Sequence, residues 1–509
     1  MSQVTSLTGQ EYLHKILLSR IYDVARVTPL QKLDKLSERL HCKVLLKRED
    51  YQQIHSFKIR GAYYKMKNLS PEQRGKGVIA ASAGNHAQGC ALSAAKLGCR
   101  AVIVMPKTTP DLKVDAVRRL GGEVVLWGES FNEAYDHAIE LSQSEGLTLI
   151  PPYDDADVIA GQGTIAQELI GQCDDIDTIF VPVGGGGLAA GVAVYVKNLV
   201  PEIKVIGVEA EGSACMLAAL KNHGPCDIGY VSHFADGVAV SRAGDETYRL
   251  CSMYLDDVIT CSNDEICAAM KDIFDDTRAI AEPSGALALA GLKKYVREHG
   301  GTGNMISIMS GANVKFRTLR MVAERCDVGE KTEGILSIEI PETKGAFLKL
   351  FRDLGDRHMT EFSYRISHNS RARVFASVEL TDGKKELDSI ASSLRQKGYL
   401  VTDLTDDAIA KEHVRYMVGG HPTFPIDEKL FLFEFPNTKN ALGRFLETLG
   451  DSYSVTLFHF RISDLEFCSV LCGFNVSKGS GDGLDAFIRR LNYPVHEVSS
   501  NAAYQQFLS

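Results

Sequence analysis

His55-Ser56-Phe57-Lys58-Ile59-Arg60-Gly61-Ala62 follows a charged run, Lys47-Arg48-Glu49-Asp50, and opens an amphipathic segment that continues through Leu69. Lys58 therefore falls in the expected first turn of a helix. A lysine amine forms a Schiff base with a carbonyl compound when burial or a neighbouring cation keeps part of it neutral. Arg60 is the candidate neighbour. Read alone, the stretch fits a solvated lysine as well, so its meaning depends on what the rest of the chain places around it.

Working outward, short β-like runs alternate with helical patterns. Val44-Leu45-Leu46 reads as a strand, as do 77–81, 101–105 and 123–126, with helices following near 87–97, 113–120 and 131–144. Further strands are expected at 178–181, 204–208 and 305–309, and an N-terminal helix over 11–25, ended by Thr28-Pro29-Leu30. Strands alternating with helices indicate parallel sheets covered on both faces. Ligands in such folds sit at the carboxyl ends of the strands.

Three strand ends carry unusual chemistry. Ser82-Ala83-Gly84-Asn85-His86 combines small and polar residues at a helix start. Free backbone N–H groups and the dipole make this an anion site suited to a carboxylate; a plain N-cap at Ser82 or Asn85 is the other reading. Pro182-Val183-Gly184-Gly185-Gly186-Gly187-Leu188 lets the backbone approach an anion closely, and a phosphate is the natural guest. It has neither the Gly-x-Gly-x-x-Gly spacing nor the Gly-Lys-Ser/Thr of a Walker loop. Met309-Ser310-Gly311-Ala312-Asn313 offers a hydroxyl to a bound ring, or simply marks a turn.

Size and composition set limits. The 509 residues call for two to four domains. A net charge of −9 gives no basic excess for a phosphate backbone, so nucleic acid is not an expected partner. The N-terminus is polar and the longest apolar runs are too short to span a bilayer, so neither a signal peptide nor a membrane segment is expected. The twelve cysteines are scattered without Cys-x-x-Cys and read as thiols of a reducing, cytoplasmic compartment. Cys468 and Cys472, with apolar flanks, read as core rather than as zinc ligands.

Five motifs in this order, 55–62, 82–86, 184–187, Ala281-Glu282-Pro283-Ser284-Gly285-Ala286 and 310–313, resemble the fold-type II pyridoxal-phosphate enzymes, in particular biosynthetic threonine dehydratase (threonine ammonia-lyase). The resemblance implies an α/β catalytic domain of tryptophan-synthase-β-like fold over 1–325. It implies that Lys58 carries pyridoxal 5'-phosphate as a Schiff base and then acts as base at the substrate Cα. Phe57 would pack by the ring, Asn85 bond the ring 3-oxygen, and Gly184, Gly185, Gly186, Gly187 and Leu188 cradle the phosphate. Ser310 would face the pyridine nitrogen and leave it largely unprotonated. Ser82, Ala83, Gly84, Asn85 and His86 would bind the substrate carboxylate. The cofactor phosphate is the candidate acid for the leaving hydroxyl. Glu282 reads either as an active-site group or as a capping or salt-bridge carboxylate. Glu209 matches a cation-ligand position of serine racemase relatives, but Ser213 and Cys215 follow where oxygen ligands are wanted, so no metal is expected.

Beyond a polar linker expected at 326–334, the pattern changes to βαββαβ, a ferredoxin-like unit over 335–406. It recurs over 430–500 after a connection at 407–429. Pro341 and Pro436 are 95 apart (436 − 341), and at that offset Phe347, Leu350, Phe351 and Leu354 become Leu442, Phe445, Leu446 and Leu449, and Thr343-Lys344 becomes Thr438-Lys439. Strand ends at 366 and 462 suggest one inserted residue in the second copy. The pair resembles ACT-like regulatory domains, which implies isoleucine as inhibitor, valine as counter-effector and a homotetramer. A purely structural role for the pair is the other reading.

The expected function is deamination of L-threonine, with L-serine as a side substrate, to 2-oxobutanoate and ammonia in isoleucine synthesis. Serine dehydratase, serine racemase or threonine synthase, and a catalytically inactive amino-acid sensor, are the alternatives. A dinucleotide-dependent dehydrogenase is disfavoured by the missing glycine fingerprint.

Overall fold

In a computed structural model the described residues are 6–501, apart from 230, 317, 356, 367–370, 408–409, 416–426, 437–440, 451–452, 462–466 and 477–480. The chain divides into two compact units, Met1–Gly329 and Glu330–Ser509. No helix among the described residues is long and apolar enough to cross a membrane.

The first unit holds two sheets. The larger runs in the order Leu30–Lys32, Lys43–Arg48, Asn304–Met309, Ile176–Pro182, Lys204–Ala210, Asp257–Cys261. Only its first pairing is antiparallel. The smaller, Glu123–Leu126, Ala101–Met105, Val78–Ala81, Thr148–Leu149, is wholly parallel. Val78–Ala81 and Ala101–Met105 are buried at every position, as strands covered on both faces must be.

Helix Lys58–Lys67 joins the two cores. Its Ile59, Tyr63 and Tyr64 pack with the larger sheet's cluster, and its Ala62 and Met66 with the smaller sheet's. Helix Ala156–Gln172 lies against it so closely that a Cβ on Gly161 would sit 2.6 Å from Gly61 Cα. The Lys58 stretch is thus wedged between the lobes rather than lying on a surface.

Three expectations change. The N-terminal helix is Gly9–Leu17, started by a Thr8–Glu11 capping box, and stops well short of 25. Ile21 and Val24 are carried into the core from the following turns instead. Strands Leu30–Lys32, Thr148–Leu149 and Asp257–Cys261 join the sheets beyond those read from the sequence. The polar stretch 326–334 is largely structured: Cys326 to Gly329 close helix Thr318–Gly329, and Glu333 opens a strand. Arg325, just before it, is buried on Asp264, with Nε 2.6 Å from the carboxylate.

In the second unit Glu333–Pro341, Ala346–Leu354, Met359–Arg365, Arg371–Glu379, Gly383–Gln396 and Leu400–Asp403 form one βαββαβ set. Glu428–Pro436, Ala441–Leu449, Val455–Arg461, Phe467–Asn475, Gly481–Leu491 and Val495–Glu497 form the other. Met359–Arg365 pairs antiparallel with Val455–Arg461, Ser363 opposite His459, and so fuses both halves into one eight-stranded sheet. The equivalent apolar helix residues all lie in one core: Leu350, Phe351 and Leu354 with Leu442, Phe445, Leu446 and Leu449, with Phe347 packed against them. Cys472 is buried there. Thr438-Lys439, the strand end at 462, parts of the 407–429 connection and the Cys468 side chain lie outside the described residues.

Candidate active site

Lys58 is the first residue of its helix, with Phe57 at the N-cap. Its Nζ donates to the backbone oxygen of Pro152 at 2.8 Å and lies 5.4 Å from the centre of the Phe57 ring. Desolvation pulls the amine down to about 8. Arg60 is not the cause. It points into the protein, where it is fully buried and bonds Glu49 and Glu168; Lys47 pairs with Glu168 as well. The neighbouring-cation expectation is therefore replaced by burial.

Segment 55–57 is tied to segment 310–312. Ser56 bridges Gly311, the Phe57 amide donates to the Ser310 oxygen at 3.1 Å, and the Ala312 amide to the His55 oxygen at 3.0 Å. This holds Ser310 next to the lysine segment. Ser310 is buried and its hydroxyl donates to the Ser284 oxygen at 3.2 Å.

The 82–86 loop follows strand Val78–Ala81, and its N-cap is Gly84, not Ser82 or Asn85. Ser82 Oγ accepts from the Gly84 amide at 3.3 Å. No side chain caps helix Asn85–Leu97, so its first-turn amides are open to an anion. Ser82, Ala83, Gly84 and Asn85 are partly exposed, whereas His86 is buried. The His86 ring turns inward, with Nε2 2.8 Å from the Ile150 oxygen, and burial with nearby Lys58 pushes it down to about 3. Its side chain is therefore a neutral brace, and only its backbone faces the loop.

The glycine loop ends strand Ile176–Pro182 and opens helix Gly187–Leu199. A Cβ on Gly185 would lie 2.4 Å from the Tyr153 ring, and one on Gly184 would lie 2.9 Å from Val238 Cα. Gly186 is the helix N-cap at φ +95°, a left-handed conformation suited to glycine, and no side chain caps this helix either. Leu188 is buried in its first turn. Thr247 Oγ1 donates to the Gly185 oxygen at 2.6 Å. Asp154 accepts from the Asp245, Glu246 and Thr247 amides at 3.0, 3.0 and 3.1 Å, which fixes Thr247 in turn.

Pro152 and Tyr153 thus connect the lysine to the glycine loop, and neither was singled out from the sequence. They follow a buried Ile150 at the end of the two-residue strand Thr148–Leu149. The Pro151-Pro152-Tyr153-Asp154 run at a strand end was the available signal.

Glu282 lies beside the 82–86 loop. It precedes helix Pro283–His299 without capping it and is buried. It accepts from Asn85 Nδ2 at 2.7 Å. Burial, with Asp236 adding to it, raises the carboxyl to about 7. Glu209 is different: both its oxygens accept backbone amides, from Met216 and Leu217, each at 2.8 Å. Among the described residues no group of three or more His, Cys, Asp or Glu stands ready for a metal ion.

The residues fit pyridoxal phosphate. A desolvated amine suits its carbonyl, and a backbone cradle with no room for a Cβ at two positions suits its phosphate.

Comparisons with known proteins agree. The family model for pyridoxal-phosphate dependent enzymes matches residues 21–311. The model for the C-terminal regulatory domain of threonine dehydratase matches 324–414 and 420–508. The chain is 55% identical over 503 residues to the L-threonine dehydratase biosynthetic IlvA of Pasteurella multocida, covering 98% of each. It is 54% identical over 502 residues to that of Escherichia coli, again covering 98% of each. Among solved structures, the processed form of threonine deaminase isoform 2 from Solanum lycopersicum aligns with a TM-score of 0.61 and 50% identity, over 62% of this chain and 92% of that one. Serine racemase from Dictyostelium discoideum aligns at 0.57 and 31%, over 60% and 99%. The chain belongs to the biosynthetic threonine dehydratase family of pyridoxal-phosphate dependent enzymes.

Proposed function

We propose that this chain deaminates L-threonine to 2-oxobutanoate and ammonia as the committed step of isoleucine synthesis, and that isoleucine inhibits it. The observation that carries the reading is the Lys58 amine, brought down to about 8 and held on Pro152, beside the Tyr153-backed glycine loop. Bound pyridoxal phosphate supplies the electron sink for charge left at the substrate Cα. Lys58 would hold the cofactor and would take the proton from the substrate Cα. Phe57 would pack by the ring, and Asn85 and Ser310 would address its 3-oxygen and nitrogen. The backbone of Gly184–Gly187 and Leu188 would receive the phosphate, and the amides of the 82–86 loop would receive the substrate carboxylate.

We assign the catalytic domain to 1–325 and the two regulatory units to 335–406 and 430–500. Between the regulatory halves is a cavity of about 130 Å³, lined by Ile340, Phe347, Tyr364, Leu446 and Tyr453, with Glu342 and Lys344 among its polar lining. Apolar walls with one group of each charge suit a branched-chain amino acid, so isoleucine and valine are the effectors inferred here. A homotetramer is inferred from the family resemblance. A cytoplasmic location is inferred from the cysteines, all of which are free thiols among those described.

Turnover of threonine and of serine, each with and without isoleucine, tests the reading. Threonine turnover is expected to exceed serine turnover and to fall with isoleucine. Faster serine turnover, or indifference to isoleucine, would overturn the corresponding part.

A further inference from the structure

Behind the 82–86 loop, three side chains form a hydrogen-bonded series whose direction follows from one backbone carbonyl. Asn313 Nδ2 lies 2.8 Å from the Ile54 oxygen and 2.8 Å from Asn85 Oδ1. A carbonyl oxygen can only accept. The Asn313 atom facing Ile54 is therefore the amide nitrogen, and its second hydrogen is directed at Asn85. Asn85 has to meet that hydrogen with its oxygen. Its nitrogen is thereby turned to Glu282, 2.7 Å away. The orientation of both carboxamides, normally a matter of assignment, is set by Ile54.

Glu282 completes the series as its terminal acceptor. The backbone amide of Asn313 donates to the same carboxyl. The carboxyl is boxed in on the other side, because a Cβ on Gly311 would lie 2.6 Å from its Oε1. Asn85 itself is partly exposed, and the second hydrogen on its nitrogen has no partner among the described residues.

We propose that Asn313, anchored on the Ile54 carbonyl, and Glu282 are positioning residues that turn the Asn85 carboxamide so that an N–H, rather than its oxygen, is presented to the ring oxygen of the cofactor. The inference rests on the reading that Asn85 addresses that oxygen. An ionised ring oxygen is an acceptor, so an inverted carboxamide would set oxygen against oxygen. Neither Asn313 nor Glu282 needs to touch the cofactor; each acts through Asn85.

Two readouts test this in the full chain: the visible absorption band of bound pyridoxal phosphate, and its Kd from titration of the cofactor-free protein. Asn85→Ala is expected to shift the band and to weaken binding roughly tenfold, the loss of one hydrogen bond to a charged group. Asn313→Asp offers only oxygens to Ile54 and Asn85, so it is expected to reverse Asn85 and produce a shift of the same sense. Glu282→Gln keeps an acceptor oxygen and is expected to leave the band near that of the parent. If Asn85→Ala changes neither readout, the reading of Asn85 falls, and the proposal with it. If Asn85→Ala shifts the band and Asn313→Asp does not, the proposal alone is overturned. Should Asn313→Asp fail to fold, Asn313→Ala removes the anchor without adding a charge, and a parent-like band and Kd in that variant overturn the proposal. A lowered Tm with an unmoved band, the mark of a purely structural role, does so too.

Discussion

The Asn85 carboxamide donates to Glu282 Oε1 at 2.7 Å, so a buried carboxyl stands directly behind a residue of the 82–86 loop. Burial raises that carboxyl from 4.5 to about 7, with Asp236 adding to the rise and Asn85, the Asn313 amide and Lys113 opposing it. A raised carboxyl binds more protons in the folded chain than in the unfolded one. Its stabilising contribution is therefore complete below about pH 4.5 and is lost as pH rises through about 7. The loss is about 3 kcal/mol at most. Glu282→Gln carries no charge at any pH, so its cofactor-free Tm is expected to exceed that of the parent at pH 8 and to lose the advantage at pH 5. Parallel Tm curves from pH 5 to 9 would refute the assignment.

Lys58 offers a second pH signature. With the amine at about 8, roughly a tenth of it is neutral at pH 7, against about one part in three thousand for an unperturbed lysine. The rate at which cofactor-free protein takes up pyridoxal phosphate is expected to rise tenfold per pH unit below 7 and to level off above 8. Lys58→Ala is expected to keep the fold and lose both the visible band and turnover. After borohydride reduction, peptide mapping of the parent should find the label on Lys58, and a label elsewhere would refute the role.

Arg60 has a different job. It joins Glu49 and Glu168 in a fully buried set that Lys47 completes. Arg60→Met leaves two carboxylates with one cation, and a loss of about 3–5 kcal/mol is expected in denaturant unfolding. Because burial rather than Arg60 lowers Lys58, Arg60→Met, which removes the charge, is expected to keep the midpoint of the uptake profile near 8. A rise of that midpoint would restore Arg60 as the neighbour that tunes the amine.

The regulatory cavity yields a fourth expectation. Ala346 is buried in its lining. Ala346→Leu adds bulk there and alters no residue of the catalytic unit. Inhibition by isoleucine is expected to weaken about tenfold or more while threonine turnover without isoleucine stays unchanged. Unaltered inhibition would move the effector site elsewhere.

What the sequence reveals about this fold depends on how locally each signal is written. Ala101–Met105 is five buried apolar residues in a row, and its bounds are legible without tertiary information. Helix Ala156–Gln172 is not, because Gln162, Thr164 and Glu168 are buried among its apolar residues and erase the period. Glu168 is inside because Arg60 and Lys47 meet it there, and both come from distant segments. The same holds at the site. The roles proposed for Lys58, the glycines and Ser310 rest on residue types whose chemistry shows in the sequence. Pro152 acts through a backbone oxygen, which no side chain announces, and Tyr153 matters only because the fold lays its ring over Gly185. Glu282 reads two ways in the sequence, and only the fold sets it 2.7 Å from Asn85.

The glycine loop allows a comparison between two single substitutions of equal size. At Gly185 a new Cβ meets the Tyr153 ring at 2.4 Å, pressing on the Pro152–Tyr153 segment that holds Lys58. At Gly184 it meets the Val238 backbone at 2.9 Å, which has no rotamer to change. Overpacking of this kind costs about 1–3 kcal/mol when neighbours can shift. Gly185→Ala is expected to displace Tyr153, and with it the Pro152 oxygen that accepts the Lys58 amine, so cofactor Kd and the midpoint of the uptake profile should both change. Gly184→Ala is expected to weaken cofactor binding at least as much while leaving that midpoint near 8, because the backbone it presses on is that of Val238 and not that of Pro152, whose oxygen accepts the Lys58 amine. Titration of each cofactor-free variant at several pH values separates the two effects. If Gly185→Ala weakens binding with the midpoint unmoved, Tyr153 does not couple the phosphate cradle to the lysine.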